Sequence, residues 1–464
     1  MGFSTYAFIF IFFPIVICLY YFGGLFSDKI GSVFQRYVII VASAVFLAWA
    51  DIGALAVFSI SAVVNYIISL MLVGKYTKRY LIIGVIWNVL LLSLFKYCNG
   101  SNFVANIALP LGISFYTFQQ LVFLQGVYKE KKNFGSFSEY LYYVIYFPKM
   151  ISGPLLQYKE SVDQFAGRKL SKLDFSNISS GMYLFAIGLF KKVVISDTVA
   201  QFANTGFGMA DGLNFLQAWG TALCYTFQIY FDFSGYSDMA VGSARMLNIK
   251  LPFNFDSPYK AENIKDFWNR WHITLGKTLT NLIYIPLGGN RKGIVNTCLN
   301  KFIVFFISGL WHGVGINFVI WGCCYGILSV FEVIFEKTLK KIPKQIRCIL
   351  IFLIVNFLWV LFRADNLHQV ISIYKAMFSV GSFSFASLGV LADDGIIPFP
   401  DLLWALYLIG ILVLLAVIVL RKKNSNDMYI NYRAGWKKVI FTVALLVFSV
   451  LHLSRLSIFV YQNF

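Results

Sequence analysis

Two histidines in this chain sit where a polar side chain is costly to keep. The stretch GLWHGVGINFVIWG, residues 309–322, carries His312 and, five residues on, Asn317 within an otherwise apolar run. A polar ring taken into hydrocarbon loses its hydration unless it finds a partner. Two readings stand. His312 is a ring satisfied by a neighbouring helix, or it is a neutral imidazole held for proton transfer. An unperturbed pKa of about 6.5 suits a general base, and burial disfavours the charged form. Trp311 and Trp321 read as cavity walls or as ordinary core.

His272 lies in DFWNRWHITLGKTLTNLIYIPLGGNRKG, residues 266–293, a segment rich in tryptophan and base. Arg270, Lys277, Arg291 and Lys292 suit phosphate groups. GGNRKG suits a turn whose N–H groups cradle an anion. A basic interfacial helix against lipid headgroups explains the same residues. Upstream, FDFSGYSDMAVGSARM puts Asp232 and Asp238 at the inner end of a span, where they need partners. Arg245 or Arg270 is the expected one. His368 and His452 read as structural residues, with His452 and Arg455 on one helix face. No histidine pair has metal-ligand spacing, so no metal site is expected.

The elements that position these residues follow from composition. Of 464 residues, 59% are hydrophobic and 13% charged, against about 25% charged in soluble domains. The chain is therefore expected to be an all-α polytopic membrane protein. Its net charge of +18 then reads as cytoplasmic-loop Lys and Arg rather than a nucleic-acid footprint. Spans are expected at 6–26, 37–50, 54–73, 81–96, 109–128, 180–195, 216–233, 301–311, 317–336, 347–363, 402–420 and 438–456. The runs at 37–50 and 301–311 are too short to cross unaided. With the N-terminus outside, the inner loops hold 29 of the 39 lysines and arginines, so both termini are expected outside. Lys191 and Lys192 fit this poorly. His312 stands eleven residues beyond Lys301, roughly 16 Å along a helix, and Gly309, Gly313 and Gly315 surround it, which suggests a helix junction near the membrane midplane, opening toward the outer side. Segments 139–158 and 251–293 are broken by Pro148, Gly153 and Pro154 or crowded with charge. They are expected to be re-entrant or interfacial and sheltered from lipid. The first run reads as a retained span, not a signal peptide. The seven cysteines, Cys18, Cys98, Cys224, Cys298, Cys323, Cys324 and Cys348, read as small buried hydrophobes.

The segments PLGISFYTFQQLVFLQGVYK, YFPKMISGPLLQYKE, FDFSGYSDMAVG, FNFDSPYKAENIKDFWNRWHITL, YIPLGGNRKG and LWHGVGINFVIWG follow one another in that order. In them the chain resembles the membrane-bound O-acyltransferases (MBOAT), and within that family the bacterial alginate O-acetyltransferase type. The resemblance implies one membrane domain over 1–464, with a signature core at about 110–363. It implies a funnel of about 11–12 transmembrane helices plus re-entrant pieces. It also implies transfer of an acyl group, acetyl first, from a cytoplasmic thioester such as acetyl-CoA to a hydroxyl of an extracytoplasmic polysaccharide. No bound cofactor is implied. The setting would be the bacterial cytoplasmic membrane. By motif, His312 would be the catalytic base. His272 would be the second signature histidine, which orients the thioester or assists the proton. Trp268, Arg270, Trp271, Lys277, Asn290, Arg291, Trp311 and Asn317 are the candidate substrate- and donor-binding residues. The implied partners are the lipid bilayer, the glycan and an SGNH-hydrolase-like protein that completes transfer to sugar. YIPLGGNRKG favours the acetyl branch over the one that transfers D-alanine to teichoic acids. The ending IFVYQNF departs from the FIYFQF type often seen in relatives, and so bears on partner docking. Two readings lie outside the class. A glycan-precursor transporter would tolerate loss of His312 and cleave no thioester. A structural subunit of an envelope complex would need neither histidine.

Overall fold

The computed structural model describes residues 2–74, 77–97, 109–132, 135–156, 160–161, 164, 172–381, 384–392, 400–421 and 423–453. These residues are helical, with no strand among them. In chain order come α1 (Ala7–Leu25), α2 (Asp28–Ala50), α3 (Ile52–Met71), α4 (Thr77–Tyr97) and α5 (Ile113–Glu130). The short α6 (Phe137–Ile145) and α7 (Phe147–Met150) precede the long α8 (Phe175–Gly208) and α9 (Phe215–Met246). Two further short helices, α10 (Ile264–Arg270) and α11 (Ile273–Leu279), lead into α12 (Gly293–His312), α13 (Ile316–Leu339) and α14 (Lys344–Arg363). The chain continues through α15 (Leu367–Phe378), α16 (Asp401–Leu420), α17 (Ser425–Ile430) and α18 (Trp436–Leu451). Among the described residues, nine helices are long and apolar enough to cross a membrane: α1–α4, α8, α12–α14 and α16. This is a multi-pass membrane protein.

Several expected boundaries are corrected. The runs at 37–50 and 301–311 are completed by their flanks, whose polar first turns extend them to Asp28–Ala50 and Gly293–His312. Lys301 therefore lies about two turns inside α12. His312 closes a helix of 20 residues, about 30 Å long, at the junction with α13, as expected. Helix α9 runs on to Met246, so Asp232 and Asp238 lie within it rather than at its end. Its start is set by a capping box, with the Asn214 side chain accepting from the Gln217 N–H. The sheltered character expected of 139–158 and 251–293 holds for 140–156 and for most of 251–279, but not beyond, where residues 285–287 and 290–293 are exposed. Pro148 sits in the first turn of α7, where a missing N–H costs nothing.

The packing of α8 on α9 explains the two awkward lysines. A Cβ on Gly188 would come 2.6 Å from the Gly235 carbonyl oxygen, so only glycine lets these backbones touch. At that contact α8 becomes π-helical over Lys191–Ser196. Lys192 Nζ stands 2.7 Å from Asp232 and 2.9 Å from Asp197. Lys191 Nζ stands 2.7 Å from Asp238 and 2.9 Å from the Ser425 hydroxyl. The partners of the buried carboxylates are thus Lys192 and Lys191, not Arg245 or Arg270. The reason is proximity: Arg270 is already spent on Asp266 at 2.8 Å. Cys98, Arg455 and the ending IFVYQNF lie outside the described residues, and the other six cysteines are free thiols, of which only Cys224 is buried as expected, Cys18 being exposed and the rest half-buried.

Candidate active site

The hairpin between α12 and α13 carries His312. It closes tightly because Gly309 lies against Gly322: a Cβ on Gly309 would stand 2.5 Å from the Phe318 carbonyl oxygen and 3.1 Å from Gly322 Cα. His312 is the last residue of α12, and Gly313 leaves in extended conformation. The imidazole is 2% exposed and boxed by aromatic rings. Centroid separations are 4.6 Å to Trp311, 5.1 Å to Trp321 and 5.2 Å to Phe362, all edge-on. Asn317 fixes the other arm. Its side-chain amide donates to the carbonyls of Leu361 (3.0 Å) and Ala364 (2.8 Å) at the end of α14.

His272 sits at the joint between α10 and α11 with φ 44° and ψ 51°. This is the left-handed region, which non-glycine residues rarely adopt without support from their surroundings. The support comes from Asn254. Its carbonyl accepts from the Ile273 N–H at 2.9 Å. Its side-chain oxygen accepts from the Thr274 N–H at 3.2 Å and the Thr274 hydroxyl at 2.6 Å. The Thr274 oxygen accepts in turn from the Leu155 N–H at 3.0 Å. The segments around 155 and 254 are thereby tied to the first turn of α11. Phe233 stands perpendicular to the imidazole at 4.7 Å, and Phe115 nearly parallel to it at 6.2 Å. Burial pushes the His272 imidazole down to about 3, so it is neutral in ordinary conditions.

Phe115 joins the two histidines, since its ring also packs 5.7 Å from Trp311. Lys96 and His272 lie close enough to His312 to act on it electrostatically. Trp268 and Trp271 belong to the same aromatic mass. Trp268 packs 5.7 Å from Trp321, and Trp271 packs 4.9 Å from Trp359, which reaches Phe362 at 5.3 Å. Other candidates lie apart. Lys277, Asn290 and Arg291 are exposed, and Asn290 and Arg291 precede the opposite end of α12, about 28 Å along the helix from His312. Arg270 is held by Asp266 and by the Asp256 carbonyl at 3.2 Å. In GGNRKG the N–H groups of Gly288, Gly289 and Arg291 donate to Ile285, Tyr284 and Gly288, so they close the turn on itself.

Sequence reasoning missed Asn254, Thr274, Lys96 and Phe115. Lys96 carried only the ambiguous signal of a lysine at the end of an apolar run. Asn254 and Thr274 carried none, because their roles depend on one loop folding back on another. Together the groups can do a limited set of things. An imidazole at a helix end, walled by aromatic rings, has the chemistry to take a proton from a hydroxyl and return it to a leaving group.

The family model described as MBOAT, membrane-bound O-acyltransferase, matches residues 51–366. A peptidoglycan O-acetyltransferase of Helicobacter pylori is 36% identical, over all of this chain and 97% of that protein. A probable alginate O-acetylase AlgI of Pseudomonas putida is 37% identical, over 84% of this chain and 82% of its own length. A teichoic acid D-alanyltransferase of Bacillus subtilis is 29% identical over 55% of this chain and 68% of that protein. Both signature histidines fall within the matched residues, and the chain belongs to the membrane-bound O-acyltransferase family.

Proposed function

We propose that the protein moves an acetyl group from a thioester donor on the cytoplasmic side of the bacterial cytoplasmic membrane to a hydroxyl of an extracytoplasmic polysaccharide. The donor is acetyl-CoA or another acyl thioester. His312 is the general base. It takes the hydroxyl proton as that oxygen bonds to the thioester carbonyl carbon, whose π pair moves onto oxygen. Collapse expels the thiolate, which regains a proton from the imidazolium. The ester C–O bond forms, the C–S bond breaks, and His312 is restored. His272, neutral through burial, orients the thioester or assists the proton.

The observation that carries this reading is the burial of His312 among Trp311, Trp321 and Phe362 beside His272. The O-acetyl relatives support acetyl over D-alanyl transfer, because the D-alanyl relative matches a smaller share of the chain at lower identity. The end-to-end likeness to a peptidoglycan O-acetyltransferase makes a wall-glycan hydroxyl the first acceptor to test. An SGNH-hydrolase-like partner completes the transfer, and both termini face outside.

The test uses sealed vesicles carrying the protein, with radiolabelled acetyl thioester on the cytoplasmic face and glycan acceptor on the other. Thiol release coupled to labelled ester on the acceptor is expected, and is lost with His312→Ala. Thiol release that persists undiminished in His312→Ala would contradict the assignment of the base.

A further inference from the structure

Lys96 is the penultimate residue of α4 and, although charged, is only 7% exposed. Its ammonium donates to the backbone carbonyl of Trp311. The next residue, Tyr97, donates its hydroxyl to the carbonyl of Leu310. Both acceptors lie in the last turn of α12, where carbonyls lack intrahelical partners and the macrodipole gathers negative charge. Lys96 Nζ stands 5.8 Å from the centre of the Trp311 ring. Among the described residues no carboxylate pairs with it. A buried ammonium is costly unless something negative faces it, and a methionine would fill the space without that cost. What faces it is the end of the helix that carries His312.

The Trp311 carbonyl belongs to the peptide plane that ends at the His312 nitrogen. Pinning that oxygen fixes the plane from which the His312 side chain departs. We infer that Lys96 is a positioning residue of the acyl-transfer centre: it docks the end of α4 on the last turn of α12 and so holds the His312 ring toward the reacting groups. The inference rests on the reading of His312 as the base.

The experiment compares Lys96→Met, Lys96→Arg, Tyr97→Phe and His312→Ala at matched membrane abundance, measuring kcat and KM for acetyl thioester. A misplaced base is expected to lower kcat about 10–100-fold in Lys96→Met, with KM for the thioester little changed. Lys96→Arg, which can still donate to the carbonyl, recovers most of the rate. Tyr97→Phe loses less than Lys96→Met. Should Lys96→Met fail to accumulate, Lys96→Arg and Tyr97→Phe decide, since each keeps the volume. Wild-type kcat in Lys96→Met, a loss confined to KM, or no recovery in Lys96→Arg would overturn the inference. If His312→Ala is inactive while Lys96→Met is unimpaired, this inference alone fails. If His312→Ala turns over normally, the base assignment fails and the inference with it.

Discussion

At the residue scale, burial keeps His272 neutral and ties Asn317 to backbone carbonyls. His272 has its imidazole pushed from the ordinary 6.5 down to about 3. Above about 6.5 it is neutral in both folded and unfolded chains and contributes no pH dependence. Below that, the unfolded chain binds a proton that the folded one refuses, so stability falls as pH falls from about 6.5 toward 3. Melting temperature in detergent should therefore drop between pH 7.5 and 5, and His272→Gln should flatten that slope. An unchanged slope in the variant would remove His272 from the explanation. Asn317 makes a different prediction. Its amide serves two backbone carbonyls, so Asn317→Leu should cost about 1–3 kcal/mol per unsatisfied group, read as a lower melting temperature. If stability is unaltered and only KM rises, Asn317 touches substrate instead. The two histidines were legible because they are scarce and set among apolar or tryptophan-rich residues. Lys96 was not, because a lysine at a span end also reads as a side chain reaching for the interface.

At the element scale, α8 and α9 are joined beside the site by a close glycine contact and buried ion pairs. Removing one partner of their buried ion pairs leaves an uncompensated charge, so Lys192→Met should destabilise by about 3–5 kcal/mol. Combining it with Asp232→Asn and Asp197→Asn should restore part of that loss. No restoration in the combined variant would mean that the pairing is not what holds the helices. Hydropathy found the long helices and missed the short ones such as α6, α10 and α15, and it misjudged ends, as at α2 and α12, where polar first turns continue a helix whose apolar part alone was visible. It also says little about which helices are buried in the interior. α5 buries Ser114, Thr117, Gln119 and Gln120, so its mean hydropathy is modest though its position is central. The short α10 and α11 were legible only as an irregular, sheltered stretch, since the Asn254 ties that shape them join residues far apart in sequence.

At the scale of the whole molecule, the proposed transfer requires one chamber open to reactants from two sides of a membrane. The distribution of lysine and arginine predicts that both termini face outside. Reporter fusions active only in the extracytoplasmic space should therefore work at either end, and signal confined to one end would require a different threading. Parallel arrival of the ends of α4 and α12 at one place puts Lys96 and His312 on the same side, with Asn290 and Arg291 toward the other end of α12. The central claim is that His312 performs acyl transfer. Its most direct test is the O-acetyl ester content of isolated envelope glycan from cells carrying wild-type protein or His312→Ala at equal membrane abundance. The account predicts at least a hundredfold loss of ester dependent on this protein, within the range of a removed general base. Equal ester content in the two strains would contradict it and make the His312 ring a structural one.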